Sequence, residues 1–192
     1  MRCYLIYTNV WVVIGLHAEL GRGMAMNDDF EFFNERLFYN ENTGELHWRN
    51  TDLVGNRARG KKAGTNNGEG YIVLKVTKNG KASQLKAHRV IWLLVNRTWP
   101  IECIDHINGD GTDNRIENLR ESTYGQNNQN RRTSNKKNEI GVLGVSVQKS
   151  GNYRARISVN GFVKYLGMFK TIEDARIAYI QAKRESHEFC TI

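Results

Sequence analysis

The chain has 192 residues, enough for one large domain or two small ones, and 40% of them are hydrophobic. Its 28 Lys and Arg outnumber 20 Asp and Glu, giving a net charge of +8 and a pI near 9.5, which points to a polyanionic partner. No run approaches the roughly 20 apolar residues of a membrane span, which favours nucleic acid over membrane, a weak signal that gains weight only beside a motif that would use the charge.

At the start, Arg2 precedes an apolar run from Tyr4 to Leu16 that is broken by Thr8 and Asn9. A charged residue before an apolar run outlines a signal peptide, but Asn9 sits mid-run and no A-x-A site follows; a loosely packed tail is the other reading. Met24 and Met26 offer alternative translation starts, so residues 1–26 are treated as an N-terminal extension. From Asn27, NDDFEFFNERLFY has a cap at Asn27 or Asp28. Phe30, Phe33, Leu37 and Phe38 follow at helical spacing, which predicts a helix to Tyr39. A turn and a strand follow over Thr43–Trp48. Gly70–Val76 and Ser83–Ala87 read as strands joined by a hairpin turn at Lys78-Asn79-Gly80-Lys81. His88–Val95 (HRVIWLLV) reads as a buried helix ended before Pro100.

The run DHINGDGTDNRIENLRESTYGQNNQN then occupies residues 105–130. A strand ends at Ile104, Gly109 and Gly111 make a turn, and a helix is expected from Arg115 to Leu119 or later, extending through Asn130. Asn127–Asn138 holds no apolar residue, and 131–140 is expected to be a basic linker. Its Arg131, Arg132, Lys136 and Lys137 either track a phosphate backbone or stand solvated. Beyond it, Val142–Gln148, Tyr153–Val159 and Val163–Phe169 read as three strands, with turns at Ser150-Gly151-Asn152 and Asn160-Gly161. Thr171 is a helix cap with Asp174 three residues on, and Ala175, Ala178, Tyr179, Ala182 and Ser186 form a stripe suited to packing on that sheet.

Chemistry concentrates in residues 105–130. Metal-assisted phosphodiester cleavage needs an oxygen ligand for a hard cation, an imidazole to take a proton from water, and amides to hold the backbone. Asp105 is suited to the first task and His106 to the second, since a free imidazole titrates near working pH. A calcium loop is the rival reading, because Asn108, Asp110, Gly111 and Glu117 fall at EF-hand positions. His106 would then stand where an Asp ligand belongs, and paired flanking helices are missing, so it is rejected. Asp110 and Asp113 are read as turn-forming and capping residues before extra ligands. Cys3, Cys103 and Cys190 are far apart and outside any CxxC pair, so no structural zinc or disulfide framework is expected, and a reducing, cytoplasmic setting fits.

The pattern resembles the HNH endonuclease family, in the variant with Asp-His first and Asn in place of the last His. The resemblance implies a ββα-metal fold: strand, turn, strand and helix with Mg²⁺ or Mn²⁺ in their crease. It implies Asp105 and Asn127 as metal ligands, His106 as general base, and Asn118 as the residue that ties the loop so His106 points correctly. His88, in an Ala-His-Arg element, approaches the scissile phosphate or braces the site. Arg89, Arg115, Arg120, Arg131 and Arg132 are the candidate DNA contacts of this half.

Further on, GVSV, YRARI, YLGMF and EDARIAY resemble the Apetala/ethylene-response-factor DNA-binding domain, which the family usually builds with Trp where this chain has Tyr153. In that reading Tyr153, Arg154, Arg156 and Lys164 meet the DNA. Arg154 and Arg156 share a face by strand alternation.

The expectation is an α+β chain: 27–130 an HNH nuclease domain, 131–140 a linker, and 141–192 a three-stranded antiparallel sheet packed on one helix. The implied activity is metal-dependent DNA nicking or double-strand cleavage on duplex DNA by a monomer or homodimer, in the bacterial host of a phage or mobile element. A catalytically inactive DNA-binding regulator with the same fold is the alternative.

Overall fold

Turn chemistry and alternating apolar residues build most of the molecule from short antiparallel pairs. The structure is a computed structural model that describes residues 23–134 and 138–192. The apolar run 4–16 and the linker lysines Lys136 and Lys137 lie outside the described residues. Among the described residues the strands form two two-stranded and two three-stranded sheets, all antiparallel. No helix among them is long and apolar enough to cross a membrane.

Helix α1 (Gly23–Asn34) ends earlier than the periodicity predicts. Leu37 and Phe38 belong instead to β1 (Leu37–Asn40), which pairs with β2 (Glu45–Trp48). Phe33 and Leu37 both enter the core, from a helix and a strand rather than from one helix. Over so short a run, spacings of 3.6 and of 2 are easily confused. Asn40 closes the turn by accepting the N–H of Asn42 (3.1 Å) and Thr43 (3.3 Å). At Gly44 φ is +72°, and a Cβ there would come within 2.5 Å of the Arg115 nitrogen. The hairpin therefore presses directly on the loop that carries Asn114.

Next, β3 (Thr65–Asn66), β4 (Ile72–Lys78) and β5 (Lys81–Lys86) form a sheet in that order. Asn79 and Gly80 both have positive φ, 52° and 74°, as a tight two-residue hairpin turn requires. Helix α2 (Ala87–Asn96) buries Ala87, His88, Val90, Ile91 and Leu93. It stops where Arg97 adopts a left-handed conformation and donates its N–H to the Leu93 carbonyl. Leu74, Ile91 and Leu93 are fully buried in the main core, each contributing about 1.5–3 kcal/mol of apolar burial.

The segment 103–130 departs from the expected long helix. β6 (Cys103–His106) pairs with β7 (Leu119–Ser122), after a single 3₁₀ turn at Ile116–Asn118. Only Tyr124–Gln129 is α-helical; this is α3. Leu119–Ser122 reads LRES and lacks an apolar alternation, so its strand character comes from pairing with β6. Thr123 caps α3 in a reciprocal box, accepting the Gln126 N–H (3.2 Å) while its own N–H reaches Gln126 Oε1 (2.8 Å).

In the C-terminal part, β8 (Val145–Val147), β9 (Tyr153–Val159) and β10 (Phe162–Phe169) lie in the order β10-β9-β8. The first strand starts later than expected, because the Val145 N–H turns back to the Val142 carbonyl (3.3 Å). Helix α4 (Ile172–Ser186) packs across the sheet, and Thr171 caps it by accepting the Asp174 N–H (3.1 Å). Ala175, Tyr179 and Ala182 of α4 meet Val145, Ala155 and Ile157 of the sheet in a small apolar core.

Candidate active site

Register along the β6–β7 pair sets the site. Asp105 stands directly opposite Arg120, and His106 opposite Leu119. Directly opposed side chains lie on the same face, so the carboxylate and the guanidinium meet. Arg120 reaches Asp105 Oδ2 through Nη2 (2.7 Å) and Nε (2.8 Å). Asn130 approaches from the end of α3, its Nδ2 lying 2.8 Å from the His106 carbonyl and 3.2 Å from both Asp105 oxygens. Asp105 is only 3% exposed, and these partners offset the cost of burying its charge.

The loop between the two strands is held by amides. Asn118 Oδ1 accepts the Asn108 N–H (2.9 Å), and its Nδ2 donates to Asn108 Oδ1 (3.0 Å) and to the Asp113 carbonyl (2.7 Å). Asp110 accepts from both the N–H and the hydroxyl of Thr112, which lowers its pKa. Asp113 grips Arg115 (2.7 Å), and that hydrogen bond draws its pKa down to about 2. Both carboxylates are thus committed to the turn.

His106 is 5% exposed and sits against Asn114, with Nε2 3.0 Å from Asn114 Oδ1. That oxygen only accepts, so Nε2 carries the proton and Nδ1 keeps its lone pair. Nδ1 has no hydrogen-bond partner among the described residues. Burial pushes the imidazole below its ordinary pKa, against the opposing pulls of Asn114 and Asp105. It is therefore neutral at pH 7. Tyr39 of β1 steadies this arrangement, donating to the Asn114 carbonyl (3.2 Å) and accepting the Ile116 N–H (2.8 Å).

His88 lies edge-on to His106, ring centroids 4.9 Å apart, and Tyr71 packs on both, at 5.7 Å from His88 and 6.0 Å from His106. His88 is 4% exposed, and burial lowers its pKa to about 3. Its Nδ1 is buried without a hydrogen-bond partner among the described residues.

Asp105, His106 and Asn127 line a single cleft of about 340 Å³, together with Tyr71, Gly109, Asn130 and Arg132. Asn127 is half-buried, and its carboxamide makes no hydrogen bond among the described residues. One carboxylate and one free carboxamide suit a small hard cation that keeps several waters and takes phosphate oxygens as further ligands. The cleft has no Cys, and no cluster of three or more His, Cys, Asp or Glu gathers among the described residues.

Several of the arginines expected at DNA also make contacts within the fold. Arg89 donates to the carbonyls of Glu102 (2.7 Å) and Pro100 (3.4 Å), tying α2 to the loop before β6. Arg115 is paired with Asp113 and Glu117, and Arg120 with Asp105. In the structure these three tie elements of the fold to one another. Arg131 and Arg132 line the cleft, with Arg131 donating to the Thr133 carbonyl and Arg132 to the Thr191 hydroxyl (2.6 Å).

The C-terminal set also divides. Arg154 and Arg156 stand on the outer face of the sheet, with Tyr165 opposite Arg156 and Met168 opposite Arg154. Tyr153 alternates to the other face and packs on the apolar core, and Lys164 pairs with buried Ile157. Tyr153 and Lys164 therefore do not share the Arg154–Arg156 face. Tyr165 and Met168 share the Arg154–Arg156 face, which only the pairing register reveals. Sequence reasoning gave no role to Asn114 and Asn130, although both stand within the motif.

Residues 85–129 match the model of the HNH endonuclease family. This supports an HNH endonuclease domain across α2, β6, β7 and α3, and the match does not reach the C-terminal sheet and helix. Among solved structures, that of the HNH homing endonuclease I-HmuI, described for DNA binding and cleavage, is similar over 50% of this chain and 51% of that one. The identity is 23% and the TM-score 0.38, and the matched part spans about half the length of that endonuclease. No curated protein matches the chain.

Proposed function

We propose that this protein is a metal-dependent DNA endonuclease whose HNH cleft hydrolyses phosphodiester bonds, nicking or cutting duplex DNA. The observation that carries this reading is the convergence of Asp105, His106 and Asn127 on one cleft inside the segment that matches the HNH family. Asp105 and Asn127 would hold Mg²⁺ or Mn²⁺ through oxygen, and the ion would supply positive charge beside the leaving oxygen. His106 takes a proton from the attacking water at Nδ1. Asn114 fixes the imidazole by accepting the Nε2 proton, and burial keeps it neutral and ready to accept another. Asn118 keeps the loop closed beneath it. His88, buried and neutral, braces the ring of His106 from the side.

In this reading the C-terminal sheet and helix are a DNA-binding module of the Apetala type. Arg154 and Arg156 on its outer face meet duplex DNA, and the net charge of +8 favours approach to the polyanion. The setting is the cytoplasm of a bacterial host, with the protein acting for a phage or mobile element as a monomer or homodimer.

Nicking of supercoiled plasmid in Mg²⁺ or Mn²⁺ tests the proposal. Wild type is expected to nick, and His106→Ala to lose about 10²–10⁴-fold in rate while still binding DNA. If wild type and His106→Ala are equally inert while binding persists, the protein is a DNA-binding regulator.

A further inference from the structure

The last residues of the chain fold back onto the nuclease cleft, and they touch the two side chains that hold Asp105. Arg120 donates through Nη2 to the Phe189 carbonyl (2.8 Å), and its guanidinium lies 4.0 Å from the centre of the Phe189 ring. Such a stack holds a planar cation in one orientation. The Phe189 N–H in turn reaches Gln129 Oε1 (3.3 Å) at the end of α3. At Thr191, the hydroxyl accepts from Arg132 (2.6 Å). Its single proton lies between the Ile107 carbonyl (2.7 Å) and Asn130 Oδ1 (2.6 Å).

The contact begins on α4. Lys183, 1% exposed, donates its ammonium to the Arg131 carbonyl, and Arg184 Nε holds the Ile192 carbonyl (2.8 Å). A buried ammonium needs a partner, so Lys183 fixes where the chain leaves α3. The C-terminal unit is thus seated against the cleft through its helix and tail, rather than tethered only by residues 131–140.

We infer that the C-terminal segment 187–192 is a working part of the nuclease cleft: Phe189 and Thr191 hold Arg120 and Asn130, and through them fix the carboxylate of Asp105. Arg120 and Asn130 are positioning residues in this account. Arg120 restrains Oδ2, Asn130 spans both carboxylate oxygens and the His106 carbonyl, and neither can turn away while the tail is seated. The inference rests on the reading of Asp105 as the metal-holding carboxylate. It links occupancy of the C-terminal module to the geometry of the cleft.

The test uses the full chain carrying Thr191→Val with Phe189→Leu, beside Thr191→Ser as the conservative control. Thermal melting and duplex-DNA binding report whether fold and module survive. Affinity for Mn²⁺ alone, read by electron paramagnetic resonance, and amide hydrogen exchange across residues 104–107 report on the clamp itself. The double variant is expected to bind Mn²⁺ about tenfold more weakly, as loss of partners behind a ligand does. It should also exchange faster across 104–107 and lose kcat with KM unchanged, while Thr191→Ser behaves as wild type. Unchanged exchange and Mn²⁺ affinity in the double variant overturn the inference. A wild type that neither binds Mn²⁺ nor nicks DNA removes the nuclease reading instead. Exchange across 104–107 then decides the clamp by itself, faster exchange sustaining it and unchanged exchange overturning it.

Discussion

The two halves of this molecule fill their interiors differently. Around β6, β7 and α3 the buried residues include Asp105, His106, Asn114, Asn118 and Asn130, with His88 packed beside them. Beneath the C-terminal sheet they are mostly apolar, Val145, Ala155, Ile157, Ala175, Tyr179 and Ala182, with buried Lys183 and His187 at the edge that meets the rest of the molecule. A buried amide or carboxylate costs stability unless each of its hydrogen bonds is made, so a fold selected only for packing would look like the second half. The first half accepts that cost in order to aim an imidazole and a carboxylate into a cleft. The second keeps a largely apolar core, and its outer strand face carries Arg154 and Arg156.

Three experiments press on this contrast. The largest effect belongs to Asn114→Ala, which strips the acceptor from His106 Nε2 inside the polar half. A buried group left unpaired costs about 1–3 kcal/mol, or roughly 5- to 150-fold in rate if that loss is felt in the transition state. Steady-state nicking should show the fall in kcat with DNA affinity intact; an unchanged kcat would mean Asn114 serves the loop and not the imidazole.

A smaller effect is expected from Arg154→Ala combined with Arg156→Ala on the outer face of the sheet. Binding to duplex DNA should weaken, and the slope of log affinity against log salt should fall by about 0.9 for each phosphate contact removed. An unaltered slope would take this face away from DNA. The contrast between a catalytic interior and a binding surface would then lose its second member.

The smallest change at neutral pH is expected from His88→Phe, and its signature is pH dependence. His88 titrates at about 3 in the folded protein against 6.5 when free, so between those values the unfolded chain binds more protons. Its contribution is fully present above pH 6.5 and is lost as pH falls, at roughly 1.4 kcal/mol per pH unit. Denaturant midpoints measured from pH 7 to pH 4 should therefore decline less steeply in the variant. Parallel curves would show that the buried imidazole is not what destabilises this half in acid.

How much of this was legible in the sequence follows the same division. Asp105 and His106 stand out because an adjacent carboxylate and imidazole before a glycine turn suggest a chemistry by residue type alone, while Asn118 and Asn127 are picked out by the resemblance to the HNH family. The C-terminal strands and helix were legible from turn residues and alternation, down to the cap at Thr171. What stayed hidden depends on partners far away in the chain. LRES has no strand pattern of its own and becomes β7 only by pairing with β6. That register then places Arg120 on Asp105. Tyr165 joins the Arg154–Arg156 face, and Lys164 leaves it, through cross-strand register. The seating of Phe189 and Thr191 beside Arg120 and Asn130 joins segments some sixty residues apart, at separations of 69 and 61, and no local pattern announces it. The helix predicted to Tyr39 failed for a local reason: Phe30, Phe33 and Leu37 suit a helical stripe, yet Leu37 and Tyr39 alternate equally well on a strand.

Chemical rescue tests most directly whether His106 accepts a proton in the cleft. His106→Gly leaves a space the size of the lost ring and removes the only acceptor this account provides for the attacking water. Plasmid nicking by His106→Gly in Mg²⁺ should be nearly absent and should return, in part, as imidazole is added, rising with the concentration of its neutral form. Nicking by His106→Gly at the wild-type rate without imidazole would contradict the account.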